Sequence, residues 1–478
     1  EISLSKNGDK LFVSTLDSHG SKGGIFRLDR PATGMKWEDI TPVEGGFRTV
    51  NTSPHHNEVV MTARGSYASL SYFFVSRDGG DSWIRKDQYE VHNIIPWHPD
   101  TYPGSAISRI AFDPVDPERI YFTDWYSVYR TNDWTADTIL WSNEIANGHE
   151  EIVPSRILSA HPKNQAEALL YVGGADISGL TIRDLHQFSS VPNWRRLAES
   201  DLLQEVSGID LCEDNPDVVV ACGGRGWDME TGGAAVSRDG GLSFSLVPGF
   251  DSIWGGGRVA VSATDEENIV ALSKGGGIVY TTDGGITFHH SEGPRGSYGI
   301  DRIFSLCHPL CSDRVNGNYY LYDQGTGEFM VSTDQGASFQ RVSVLDATES
   351  EYINLIAVPD QAGHLWLTLG EEGLRHTDDG GTSWTAVSDF SIANLVAAGK
   401  PAPGTDQPTI FVWGRKTTDD MMCFYRAESG QTDFHRINEE SRAGFPRCMA
   451  GDRKVFGRFY VATNGRGVYY AEISEESP

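Results

Sequence analysis

Three observations in the 478-residue chain predict an all-β fold made of repeated four-stranded sheets. One turn motif recurs five times, short apolar runs flank each copy, and 53 Gly with 21 Pro supply turns at a density that long helices do not tolerate. The copies read Ser76-Arg-Asp78-Gly-Gly-Asp-Ser-Trp83, Ser237-Arg-Asp239-Gly-Gly-Leu-Ser-Phe244, Thr281-Thr-Asp283-Gly-Gly-Ile-Thr-Phe288, Ser332-Thr-Asp334-Gln-Gly-Ala-Ser-Phe339 and Thr377-Asp-Asp379-Gly-Gly-Thr-Ser-Trp384. Degenerate copies lie at Arg130-Thr-Asn-Asp-Trp134 and from Arg27-Leu-Asp29 to Trp37. The aspartates at 239, 283, 334 and 379 are 44, 51 and 45 residues apart, the length of one propeller blade.

The motif carries its own mechanism. Asp accepts hydrogen bonds from amides of its turn, Gly supplies positive φ, Ser or Thr ties the far side, and the aromatic pins the turn between sheets. This is the Asp-box, a hairpin staple found in sialidases, sortilin-type receptors and several propeller glycosidases. Such turns sit on the blade periphery, so they report architecture and say little about function.

Between the boxes, inner and second strands alternate. They read Ser108-Arg-Ile-Ala-Phe-Asp-Pro114 then Arg119-Ile-Tyr-Phe122, Gly208-Ile-Asp-Leu211 then Val218-Val-Val-Ala-Cys222, and Arg258-Val-Ala-Val-Ser262 then Ile269-Val-Ala-Leu272. Such runs are four to five residues long and end in Asn-Pro, Asp-Pro or Gly, as buried antiparallel strands do. About ten blade-like units follow from this period, with no long amphipathic helix among them.

Composition narrows the functional classes. With 39 Lys+Arg against 66 Asp+Glu, the net charge of −27 repels a polyanion and excludes a nucleic-acid partner bound through phosphates. No run of about 18 apolar residues exists, which predicts a soluble protein without a membrane span. Six cysteines, at 212, 222, 307, 311, 423 and 448, are too few for a disulfide scaffold in so long a chain. The sequence opens at Glu1 without a Met or signal peptide, as a processed or trimmed form would.

Beyond the boxes, the chain resembles a particular family. Ser5-Lys-Asn-Gly-Asp-Lys-Leu-Phe-Val13, Gly23-Gly-Ile-Phe-Arg27 and Asp39-Ile-Thr-Pro42 look like a late blade pair from the amino-terminal propeller of glycoside hydrolase family 74, the endo-xyloglucanases. The segment from Trp97 to Leu185 resembles the junction into that family's second propeller, above all at Gly148-His-Glu-Glu151 and Val172-Gly-Gly-Ala-Asp176-Ile-Ser-Gly179-Leu. Phe459-Tyr-Val-Ala-Thr-Asn-Gly-Arg-Gly-Val-Tyr469 is similar to the family's closing strand. The resemblance implies two seven-bladed propellers facing each other across a cleft. Residues 1–149 would be the last blades of the first propeller, and 150–478 the whole of the second. The segment bearing the family's first catalytic aspartate has no equivalent here. One ten-bladed ring, as in sortilin-type receptors, is the alternative closure.

Asp176 is the leading catalytic candidate, because the aligned aspartate of the family is a catalytic carboxylic acid of an inverting glycosidase. Hydrolysis by inversion needs one carboxyl to protonate the leaving oxygen and a second to activate water. Asp124 and Asp17 are the candidates for the second. Thr123-Asp124-Trp125-Tyr126-Ser-Val-Tyr129-Arg130 occupies the place in its blade that Asp176 occupies in the next, although direct alignment to the family puts a non-acidic residue at 124. Asp17, in Thr15-Leu-Asp17-Ser-His19, is also strand-terminal. Each of the three equally fits a turn-capping role.

Trp97, Trp125, Tyr126, Trp227 and Trp254 stand beside Gly, Pro or Asp in loops and are the candidates to stack on pyranose faces, with gap-filling between blades as the bland alternative. Where the family carries a long aromatic loop, this chain has the short Asp100-Thr-Tyr-Pro-Gly-Ser105. Arg109, Arg225 and Arg258 lack the amino-terminal arginine motif of a sialidase, and Cys307-His308-Pro-Leu-Cys311 reads as a loop. His55-His56 and His289-His290 read as surface residues, with a His/Tyr polysaccharide lyase left open. The sequence therefore predicts a secreted or cell-surface, monomeric, cofactor-free and metal-free hydrolase acting on a β-linked glucan or xyloglucan-like polysaccharide. The alternative is a non-enzymatic propeller that binds protein or glycan.

Overall fold

The computed structural model describes the chain except residues 18–20, 31–34, 65–71, 96–106, 147–150, 187–193, 195–202, 227, 230, 251–255, 275–276, 294–295, 297, 301–302, 349, 429–431, 439–443 and 474–478. The chain divides into two compact units, Glu1–Glu151 and Ile152–Pro478.

The first unit holds three sheets. Blade 1 comprises Ile2–Leu4, Lys10–Leu16, Gly23–Asp29 and Glu38–Asp39, and blade 2 comprises Thr49–Thr52, Val60–Arg64, Tyr72–Ser76 and Ile84–Lys86. Blade 3 runs through Arg109–Phe112, Ile120–Thr123, Val128–Thr131 and Ile139–Ser142, and gains a fifth strand, Tyr89–His92, parallel to its outer edge. Apolar positions meet between blades instead of in one central core. Phe73 of blade 2 lies 5.0 Å from Trp141 and 5.3 Å from Phe122 of blade 3. Fully burying one such ring is worth roughly 1.5–3 kcal/mol, so each interface holds its two sheets together.

Seven sheets make up the second unit, blades 4 to 10, with inner strands Pro154–Ser159, Glu205–Leu211, Gly257–Val261, Leu310–Ser312, Asn354–Ala357, Phe390–Gly399 and Pro446–Gly451. Each inner strand packs on the next, and Pro446–Gly451 packs back on Pro154–Ser159. The ring closes on seven blades, which sets aside the ten-bladed alternative. Closure is polar: Gly467 N donates to Ile152 O at 3.1 Å, Arg447 Nε to Pro154 O at 3.0 Å and Arg453 N to Ser159 Oγ at 3.2 Å. Blades 4 and 10 have three strands among the described residues, and the others four.

Two staples repeat. In each Asp-box one carboxylate spans the turn. Asp239 accepts from Ser237 Oγ at 2.8 Å, Leu242 N at 3.0 Å, and Ser243 N and Oγ at 2.9 and 2.5 Å. Gly241, at φ +90°, could carry no side chain there, because a Cβ would stand 2.6 Å from the Tyr171 ring. Box aromatics lock blades together, as when Trp83 Nε1 donates to Ile40 O of blade 1 at 2.7 Å. A second staple, not foreseen from sequence, closes the turn between inner and second strands. Asp113, Asp313 and Asp452 cap that turn with one oxygen and accept from Tyr121, Tyr320 and Tyr460 hydroxyls with the other, at 2.9, 2.9 and 2.6 Å. Cys307 to Cys311 is not a loop on the surface: both cysteines and His308 are buried, and Cys311 lies within an inner strand.

Candidate functional site

Asp17, Asp124 and Asp176 occupy the same place in their blades, the hairpin between second and third strands. Their environments differ. Asp17 holds its own loop, accepting from Ser21 N at 2.7 Å and Ser21 Oγ at 2.8 Å. Asp124 caps its turn, with Oδ1 accepting from Tyr126 N at 2.9 Å and Ser127 N at 2.8 Å.

Asp176 sits in the three-residue turn between Leu170–Gly174 and Ser178–Ile182, half-buried, with its backbone at φ +64°. A carboxylate from the neighbouring blade fixes it there: Asp176 N donates to Glu205 Oε2 at 2.9 Å, and Glu205 is 2% exposed. Ser178 follows at φ +66°, its N–H donating to Gln204 O at 3.0 Å. Beneath the turn, Ala175 packs with Ile303 and with Met229, itself at φ +52°. Left-handed backbone costs a non-glycine residue roughly 1–2 kcal/mol. Three of the six described non-glycine residues with positive φ are thus gathered around one aspartate. Strain concentrated this way marks sites where position matters more than stability.

This end of the ring also presents aromatics. Phe304, next to Ile303, is 37% exposed and lies under the Arg447 guanidinium at 5.4 Å. Phe445, 49% exposed, lies 6.1 Å from Tyr352, which in turn is 6.0 Å from Trp413. Sequence reasoning missed Glu205, Phe304 and Phe445. Glu205 begins an inner strand with no motif around it, and its relation to Asp176 exists only across the blade interface. Both phenylalanines precede inner strands, a position that could have been compared across the repeats. Of the stacking candidates, Trp125 stands 47% exposed at the tip of the Asp124 turn, with Tyr126 beside it. Trp97, Trp227 and Trp254 lie outside the described residues. Arg258 is buried and donates to the carbonyls of Cys307, Ser207, Gly257 and Ser305, so it is a structural brace. Among the described residues no cluster of three or more His, Cys, Asp or Glu side chains could hold a metal ion, and no helix is long and apolar enough to cross a membrane.

A half-buried carboxyl on a braced turn, beside exposed aromatic faces, suits proton transfer on a ligand with apolar C–H surfaces. No family model matches the chain. A xyloglucanase of Paenibacillus sp. is 27% identical over 502 residues, covering 95% of this chain and 46% of the relative. A xyloglucanase of Acetivibrio thermocellus is 27% identical over 533 residues, covering 99% of this chain and 58% of the relative. Over nearly its whole length the chain is thus similar to enzymes named xyloglucanases. The crystal structure of a family 74 enzyme from Niastella koreensis matches with a TM-score of 0.83 at 23% identity, covering 100% of this chain and 67% of that one, and this shows the shared fold. The chain spans about half the length of the curated relatives it matches.

Proposed function

We propose that this chain acts as an extracellular glycoside hydrolase on a β-linked, xyloglucan-type polysaccharide, with inversion, and that Asp176 supplies one of the two carboxyl groups. The observation that carries the reading is the gathering of left-handed residues on the turn of Asp176, braced by the buried carboxylate of Glu205. The relatives named xyloglucanases support the substrate class. Inversion requires a second carboxyl about 6.5–9.5 Å from the first to leave room for water. Asp124 and Asp17 are this chain's candidates for it. Glu205 has a different role: its charge holds the amide of Asp176 and so orients the turn. Phe304 and Phe445 offer faces on which pyranose rings stack.

The test is incubation with xyloglucan, cellulose and mixed-linkage β-glucan, reading new reducing ends and the first-formed anomer by proton NMR. An α-anomer from a β-linkage is the expected product. Asp176→Asn, nearly isosteric but unable to transfer the proton, should lower kcat about 10²–10⁴-fold with folding unchanged. No new reducing ends on any glucan would refute the enzyme. A second reading is favoured by the turn-capping bonds of Asp17 and Asp124, which suit purely structural carboxylates. Under it the protein binds the glycan without cleaving it, and saturable binding without turnover is the distinguishing result.

A further inference from the structure

A cavity of about 90 Å³ lies on the axis of the seven-bladed ring, lined from the inner strands and their following turns. Three guanidiniums line it, those of Arg156, Arg314 and Arg453. Two of them are matched by carboxylates. Arg314 Nη2 stands 2.8 Å from Asp210 Oδ1, and Arg453 grips Glu213 with both terminal nitrogens, at 2.9 and 2.8 Å. Arg314 Nη1 also approaches Glu213 at 3.6 Å. His161, 3.6 Å from the same carboxylate, is held below its ordinary pKa by burial and then by Arg453, so it brings no charge at neutral pH.

Arg156 is left over. It forms no hydrogen bond or ion pair with any described residue, although it stands among buried neighbours. Above it, toward the end of the ring that carries Asp176, Arg447 is 5% exposed and its Nη2 has no hydrogen-bond partner among the described residues. His308 Nε2 is likewise buried and unpartnered. The surroundings are therefore positive, with three cavity-lining cations set against two carboxylates. Arg156 is partly exposed to this cavity, and a guanidinium does not shed its proton, so its charge must be met there by water or by an anion.

We propose that this axial cavity binds one small oxyanion, of the phosphate, sulfate or carboxylate class, on the guanidinium of Arg156. The planar fork of arginine matches two oxygens of such a group, which a spherical halide does not offer. The volume admits a few waters or one such ion and excludes a sugar ring. Because the cavity is walled by the first and last blades of the ring together, a bound ion would tie the closure.

The test uses the whole chain. Thermal unfolding is followed while inorganic phosphate, sulfate or acetate replaces chloride at constant ionic strength, and equilibrium dialysis with radiolabelled phosphate gives the stoichiometry. The expected result is a saturable rise in Tm with at least one oxyanion, and one phosphate per chain. Arg156→Met should weaken phosphate binding about tenfold or more, since it removes the one unpaired fork among the described residues that line the cavity. Arg156→Lys, which keeps the charge without the fork, should bind more weakly than wild type, and covers the case in which Arg156→Met fails to fold. No binding to wild type at millimolar phosphate, sulfate or acetate would overturn the proposal. So would equal binding by the Arg156 variants, or a Tm rise with chloride alone.

Discussion

Replacing Asp239 by Ala isolates the worth of one box. The carboxylate accepts four hydrogen bonds, and the partners differ in what they recover when it is gone. Leu242 and Ser243 are exposed, so their amides and the Ser243 hydroxyl regain water, and each loses only about 0.5 kcal/mol. Ser237 is 1% exposed: its hydroxyl still accepts from Gly241 N at 2.8 Å but has nothing left to donate to, which costs about 1 kcal/mol or more. Allowing for relaxation of the turn, the loss is about 1–3 kcal/mol, in one blade. Urea unfolding followed by tryptophan fluorescence reads it, alongside turnover per folded molecule. Asp239→Asn should cost less, because the amide oxygen still serves the backbone donors. Stability unchanged on Asp239→Ala would refute the staple, and lost turnover with Tm intact would put the box in the site instead of at the periphery.

Three further outcomes follow from the same geometry. Glu205→Gln keeps an acceptor for Asp176 N but removes its charge, so kcat on xyloglucan should fall about tenfold with KM nearly unchanged, as for a positioning group; a pure KM effect would argue against that role. Phe445→Ala should raise KM several-fold at little cost in stability, since the ring is half exposed, and an unchanged KM would remove it from the binding face. In acid, the boxes should fail together. Asp78, Asp283 and Asp379 are held down to about 2 by the hydroxyls of Ser82, Thr287 and Ser383 and then by the amides of the same residues. A carboxylate depressed in the folded state stabilises fully above its unfolded value of about 4 and loses that contribution as pH falls toward 2. Tm should drop across that window, and Asp283→Asn should flatten the drop.

The blades were legible because the Asp-box is a local device: its glycines, carboxylate and hydroxyl lie within eight residues and need no partner from elsewhere to be recognised. The Asp–Tyr clasp was legible too, at seven or eight residues between partners, but its composition is ordinary and the eye passes over it. Asp176 stood out through its alignment with the family's catalytic aspartate, whereas the left-handed backbone that distinguishes it from Asp17 and Asp124 is set across the blade interface, where Glu205 and Gln204 hold the turn. The fifth strand of blade 3 was equally hidden, since Tyr89–His92 follows the box of blade 2 and pairs forward.

The limit of local reading is sharpest at a repeated tripeptide. Ser108-Arg109-Ile110 and Ser155-Arg156-Ile157 start the inner strands of successive blades with identical residues. Arg109, in the three-bladed unit, keeps 69% of its side chain exposed and meets Glu1 Oε1 at 3.1 Å. Arg156, in the seven-bladed ring, lines a cavity with Arg314 and Arg453 and pairs with no carboxylate among the described residues. Nothing in the strand separates the two; what differs is whether blades close around the position. The ring thus turns a repeat's solvent-facing arginine toward a shared cavity, and the packing of neighbouring blades brings the buried Glu205 to Asp176. Desolvation raises the worth of every charge it encloses. The features of this chain that bear on chemistry are accordingly those that the blade repeat alone does not specify.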